Sequence, residues 1–186
     1  MPYCGNQPLR PLSLPEWLVL CVVCEKPTPG FALTGLLSHE GSLGRIWHVP
    51  QPAIYRAIRQ LTRLGFVQMA RQHASQAPDR WLVTATRTGH KAARGWLRRP
   101  VTHGRNVRPE LILKLALLDR IGGDPQELLR DQRAEFAPLA AALASQVDAT
   151  TGTEHTLALW RHKTMSATTQ FLDDMAHQAG LAPAAE

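Results

Sequence analysis

The residues best suited to recognition chemistry are three arginines in one short segment. Arg56, Arg59 and Arg63 lie in VPQPAIYRAIRQLTRLGFVQ, residues 49–68. Stepped at about 100° per residue from Ile54, the residues Ala57, Ile58, Leu61 and Leu64 gather on one side of a helix, and the guanidinium groups fall at roughly 140° to 200°, opposite them. Gln51 and Tyr55 lie on the flanks. A guanidinium is permanently charged and forked, which suits phosphate oxygens or the O6/N7 edge of guanine. No Asp or Glu occurs between Glu40 and Asp79. A plain solvated face is the alternative. Such faces usually mix signs, and like charges three and four residues apart repel, so the stripe reads as anion-binding.

Other reactive side chains offer less. Cys21 and Cys24 form a C-x-x-C, with Cys4 apart. No second ligand pair stands at zinc spacing, and Val19, Leu20, Val22 and Val23 surround the pair. Two buried, reduced core thiols are expected. His155 and His162 are seven residues apart on one helix, and His39 and His48 are isolated in sequence, so no metal site is expected. Gly-rich phosphate loops, a Ser elbow and H-E-x-x-H are absent from the sequence, and neither an enzyme nor a cofactor is expected. Trp96 and Trp160 are candidate walls of an effector pocket, although aromatics at helical spacing are more often core.

The elements that must position these residues follow from caps and periodicity. Residues 1–12, rich in proline, read as a flexible arm. Ser13, Pro15 and Glu16 start a helix over about 14–25. A second helix spans about 31–38, followed by a loop. Pro50 and Pro52 preset the third helix, 51–64, and Gly65 stops it. Strand-like runs at 66–71 and 80–85 flank the polar turn QHASQAPD, where His73 sits; Arg71 and Arg80 are at its ends. Thr86 caps a fourth helix, 87–98. Residues 110–121 are apolar nearly all round, as a buried helix should be. Asp124-Pro-Gln-Glu127 opens a long helix to about 147, with Pro138 inside it. A last helix spans about 154–179, and residues 181–186 read as a disordered tail.

Charge divides the chain. The first hundred residues hold 13 Lys and Arg against 4 Asp and Glu, and the remainder 8 against 11. A basic half attracts a polyanion. Apolar residues make up 44% of the 186, enough for a core. The longest apolar run, 17–24, is far short of the ~20 residues a membrane helix needs. With no basic-then-apolar leader, a cytoplasmic protein without a membrane partner is expected.

Three short helices, the third basic, then a hairpin, is the winged helix-turn-helix order. The expected fold is therefore mostly α: a winged domain with a two-stranded wing over 13–100, then an α-helical dimerisation and effector region over 101–180. The third helix would enter the major groove of double-stranded DNA, with Arg56 and Arg59 suited to base edges, Tyr55 and Arg63 to phosphates, Gln51 on the helix flank, and Arg71, His73 and Arg80 near phosphates beside the wing.

The stretches LSLPEWLVLCVV, PTPGFALTGLL, IWHVPQPAIYRAIRQLTRLGFVQ and RWLVTATRTGHKAARGWL resemble the PadR family of bacterial transcriptional regulators. The likeness lies in P-x-x-G-[FY]-x-L (27–33), a tyrosine in the third helix followed by L-x-x-L-G-[FL]-V (61–67), and the Thr-Gly start of the helix after the wing (86–92). It covers roughly residues 12–175. The resemblance implies a homodimeric DNA-binding repressor whose C-terminal helices dimerise, and a small aromatic or drug-like effector, as in many members. The alternative from another class is a winged-helix interaction module whose arginines dock an acidic protein.

Overall fold

The computed structural model describes the backbone of residues 11–74 and 77–181, and their side chains except at 72–80 and 181. Most of the expected arm, Cys4, and residues 182–186 of the expected tail lie outside the described residues.

Helix α1, Leu14–Glu25, is the axis of the head. The Ser13 backbone N–H donates to the Glu16 carboxylate at 2.6 Å, as part of a capping box at the expected start of the helix. Leu18 through Val23 are all buried, because the third and fourth helices and the sheet pack around this helix. Helix α2 spans Gly30–Leu37 and buries Leu33 and Leu37. The chain then turns tightly: Leu43 and Gly44 both donate to the Leu36 carbonyl, and Val49 donates to that of Leu37. Gly44 is required there, since a Cβ would lie 1.7 Å from the Ser38 carbonyl oxygen. This turn also stacks His39 on His48, with ring centroids 3.7 Å apart. The two imidazoles, isolated in sequence, are neighbours in space.

Helix α3, Gln51–Arg63, begins after Pro50 and ends at Leu64. Gly65 follows with φ +72, the left-handed step that glycine takes without strain. Helix α4, Arg87–Arg98, is capped by the Thr86 hydroxyl, which accepts from the Gly89 N–H at 3.1 Å.

The sheet departs from expectation twice. The wing strands, β2 (Val67–Ala74) and β3 (Ala77–Ala85), are longer than expected and absorb most of the polar turn. A ribbon that projects into water needs no apolar alternation to keep its ladder. Pro78 fits because the β1 pairing reaches only Val83 and Leu82, leaving β3 an open edge there. The second is an added strand: the wing itself is two-stranded, as expected, and a short strand that was not expected, β1, Thr28–Pro29, joins the sheet in the order β1-β3-β2. A two-residue strand inside Lys-Pro-Thr-Pro-Gly has no sequence periodicity to announce it.

The order α1-β1-α2-α3-β2-β3-α4 is a winged helix-turn-helix. Beyond it, a short 3-10 turn and a π-helical turn (Val107–Leu111) lead into α5, Ile112–Arg120. The helix expected over 110–121 thus begins in a wider turn. Leu113 and Leu117 of α5 complete the head's core, while Leu111 and Leu115 belong to a second core with Leu128, Leu129, Phe136, Leu143, Met165 and Leu172. Helix α5 is apolar nearly all round because it packs into both cores.

Helices α6 (Gln126–Ala149) and α7 (Gly152–Leu181) form an antiparallel hairpin. Gln126 donates to the Ala176 carbonyl at 2.8 Å, Arg133 pairs with Asp173, and the His155 ring lies 3.0 Å from the Val147 carbonyl. Asp124 accepts from the Gln126 N–H at 2.9 Å, so the start signal read from the sequence acts one residue later than a simple N-cap. Helix α6 runs on through Pro138.

Candidate nucleic-acid interface

Helix α3 is held by Ile54, Ala57, Ile58 and Leu61, all buried. Each large aliphatic side chain so placed contributes roughly 1.5–3 kcal/mol. That outweighs the few tenths of a kcal/mol that each like-charged neighbouring pair costs an isolated helix. The helix can therefore carry a purely cationic outer face. Arg56, Arg59 and Arg63 are exposed, and so are Gln51 and Tyr55. Among the described residues no carboxylate pairs with any of the three arginines. Leu64, expected inward, is half-buried, because it is the C-terminal cap rather than part of the helix body.

Tyr55 is the best fixed of the outer residues. Its ring lies against Gly30 at the start of α2, so close that a Cβ there would be 3.0 Å from Cε1. On the wing, Arg71 is exposed and stands directly opposite Trp81 across the β2–β3 ladder. His73 falls at a register irregularity between Gln72 and Ala74, and Arg80 pairs with Gln72. The side chains of His73 and Arg80 lie outside the described residues.

Trp96 and Trp160 do not form one pocket. Trp96 is buried, stacked on Trp17 with ring centroids 5.4 Å apart, and the Lys114 ammonium is 4.7 Å from its ring centre. Trp160 is 69% exposed on α7. It lines a groove of about 480 Å³ with Val107, Ile112, Lys163 and Phe171. Ile112 and Phe171 also line an adjoining groove of about 950 Å³ that runs past Met175.

The thiols are chemically quiet. Cys21 is buried and its pKa is pushed far up, first by desolvation and then by Cys24 beside it. Cys24 is only half-buried, and desolvation raises it to about 11. It is less enclosed than expected because the last turn of α1 approaches the surface.

Sequence reasoning missed two features. One is a recess between α3 and the wing, lined by Phe31, Tyr55, Met69 and Trp81 over Ile58 and Val83. Nothing in the sequence signalled that α2 would meet the face of the wing that carries Met69 and Trp81. The other is Lys114, fully buried at the junction between the winged head and the C-terminal helical arm, α5 to α7. It donates to the Arg99 carbonyl and the Glu110 carboxylate, each at 2.7 Å. Burial lowers its pKa, and the Glu110 hydrogen bond and charge oppose that. Nearby, Gln132 clamps both backbone groups of Val101 at 2.7 and 2.8 Å. A lysine set among apolar residues in the body of a buried helix was the available sign.

No helix among the described residues is long and apolar enough to cross a membrane. In sequence, the chain matches no family model and no curated protein. Among solved structures it is similar to Bacillus subtilis PadR in complex with operator DNA, at 16% identity and a TM-score of 0.46, covering 90% of this chain and 99% of that one. It is similar to the same protein in complex with p-coumaric acid, at 16% identity and a TM-score of 0.41, covering 96% and 100%. It is also similar to the Vibrio cholerae virulence activator AphA, at 20% identity and a TM-score of 0.38, covering 90% and 98%.

Proposed function

We infer that this protein is a sequence-specific, double-stranded-DNA-binding transcriptional regulator that reads the major groove with α3. The observation that carries this reading is the uncovered arginine face of α3, opposite a fully buried apolar face, at the recognition position of a winged helix. Arg56 and Arg59 are assigned to base edges, where a fork can pair with guanine O6 and N7. Arg63, Tyr55 and Gln51 are assigned to the flanks and the phosphates, and Arg71, His73 and Arg80 to the phosphates beside the wing.

The same reading makes the protein a homodimeric repressor. Trp160, Leu157, Leu159 and the grooves beside Ile112 and Phe171 expose more apolar surface than a solvated arm requires. A two-fold dimer would read half-sites one helical turn apart, or a multiple of that. A small aromatic effector fits this scheme at the Trp160 groove rather than at Trp96, whose ring is already engaged by Trp17 and Lys114.

The test is a gel shift with genomic fragments at two salt concentrations. The wild-type chain should select discrete fragments and weaken steeply with salt, as counterions are released. Arg56→Ala combined with Arg59→Ala should abolish selection and leave the oligomeric state unchanged. Unchanged selection would remove α3 from the reading role. Failure of the wild-type chain to bind any duplex, with capture of acidic proteins instead, would favour the interaction-module alternative.

A further inference from the structure

Helix α4 carries a second cationic face, one that the reading of DNA by α3 and the wing does not use. Stepped at about 100° per residue, Arg87, Lys91, Arg94 and Arg98 fall within an arc of roughly 60°. Gly89, Ala93, Trp96 and Leu97, all buried, lie on the opposite side. The four cations are exposed. Arg98 reaches Glu127 at 3.5 Å, and among the described residues no carboxylate pairs with the other three. From Arg80 to Pro109 the chain holds eight Lys and Arg and no Asp or Glu. A solvated helix usually mixes signs, since like charges three or four residues apart repel. The end of α3 adjoins the start of α4. The Thr86 hydroxyl donates to the Gly65 carbonyl at 2.7 Å, and Gly89 is so close to Phe66 that a Cβ would be 2.1 Å from its carbonyl oxygen. Arg63 in the last turn of α3 and Arg87 in the first turn of α4 thus flank one junction.

Resting on the function inferred above, we propose that the outer face of α4 binds the phosphates of duplex DNA lying outside the segment that α3 reads. The contact is to the backbone, so it adds affinity and register but no sequence preference. The chemistry of the face chooses this occupant. No large apolar side chain borders the stripe; the neighbouring positions around the helix are Thr88, His90 and Gly95. A protein partner needs an apolar centre to its contact, where charge is depleted. A membrane surface needs an apolar helix face to enter it. A duplex needs neither. From Arg87 to Arg98 the stripe runs about 16 Å, a length over which a duplex presents roughly nine phosphates. The stripe also begins beside the end of α3, so DNA held there needs no second encounter to reach it.

The probe is the shortest duplex that the wild-type chain selects from a randomised library, compared with the same duplex extended on each side by about ten base pairs of unselected sequence, one helical turn. The wild-type chain should bind the extended duplex about tenfold more tightly at low salt, and the gain should fade as salt rises. Arg87→Gln, Lys91→Gln and Arg94→Gln together should leave the selected sequence and the affinity for the short duplex unchanged. They should erase the gain from the flanks and lower the salt slope on the extended duplex by about two to three per protomer. The hydroxyl-radical footprint should shrink to the selected segment. Arg87→Lys with Arg94→Lys keeps the charge and should keep the gain, and circular dichroism checks that the variants are folded. A flank gain and footprint that survive the triple substitution would overturn the proposal. So would an equal loss on both duplexes, which would place the stripe in the reading site or in the fold. A wild-type chain that binds both duplexes alike would also overturn it and leave the face to an acidic protein. A wild-type chain that selects no duplex at all would sink the inferred function itself, a result distinct from these.

Discussion

The ammonium of Lys114 stands 4.7 Å from the centre of the Trp96 ring. The contact joins α5, the first helix of the arm, to α4, the last helix of the head. Around it, Lys114 holds the Arg99 carbonyl, Gln132 holds both backbone groups of Val101, and Arg120 makes a two-pronged pair with Glu25 at 2.7 and 2.9 Å. The connection between head and arm is thus tied by polar bonds at successive points. Hydrophobic contact alone would let the two bodies slide. Directional bonds to the connecting backbone fix their angle, and in the proposed dimer that angle would set where the two α3 helices are presented.

Lys114→Ala should destabilise the protein by about 3–5 kcal/mol, the range for breaking one side of a buried pair. Lys114→Met keeps the bulk and removes the buried charge, and should cost less than half as much. Urea unfolding of both variants measures the difference. Equal losses would show that the charge is not what the site requires.

The two helix-α1 thiols should be slow. In the folded chain at pH 8, Ellman's reagent should label neither Cys21 nor Cys24 at the rate seen in guanidinium, because the thiolate is the reacting species. A linked effect has a definite sign. Unfolded thiols ionise near the ordinary value of 9.0, whereas Cys24 does so at about 11 when folded and Cys21 higher still. The stability they contribute is complete below pH 9.0 and is lost as pH climbs towards the folded values. Between pH 8 and pH 10 the wild-type chain should therefore lose more stability than a Cys21→Ala, Cys24→Ser chain. Parallel pH profiles would contradict this.

Leu157→Glu with Trp160→Glu should convert the proposed dimer to a monomer while leaving the head folded. Both residues are exposed in the single chain, so the substitutions disturb little within it. Sedimentation velocity reads the mass. A dimer that persists would move the interface away from this face of α7.

Much of the head was legible in the sequence. Ser13, Pro50, Gly65 and Thr86 mark helix ends by local chemistry, and the spacing of Ile54, Ile58 and Leu61 forces α3 to turn its arginines outward. Such signals are local: a cap or a period of 3.6 acts within a few residues of itself. Strand β1 was not legible, because two residues become a strand only when β3 arrives beside them. The pairing of His39 with His48, the recess that Phe31 shares with Trp81, and the retreat of Trp96 into the core all join residues distant along the chain. Lys114 shows the division most clearly. Its sequence context announced a buried helix, and Glu110 one turn earlier is a local partner, but only tertiary packing brought Trp96 and the Arg99 carbonyl to the same ammonium, since a charge so deeply buried persists only where other elements supply partners to replace its water.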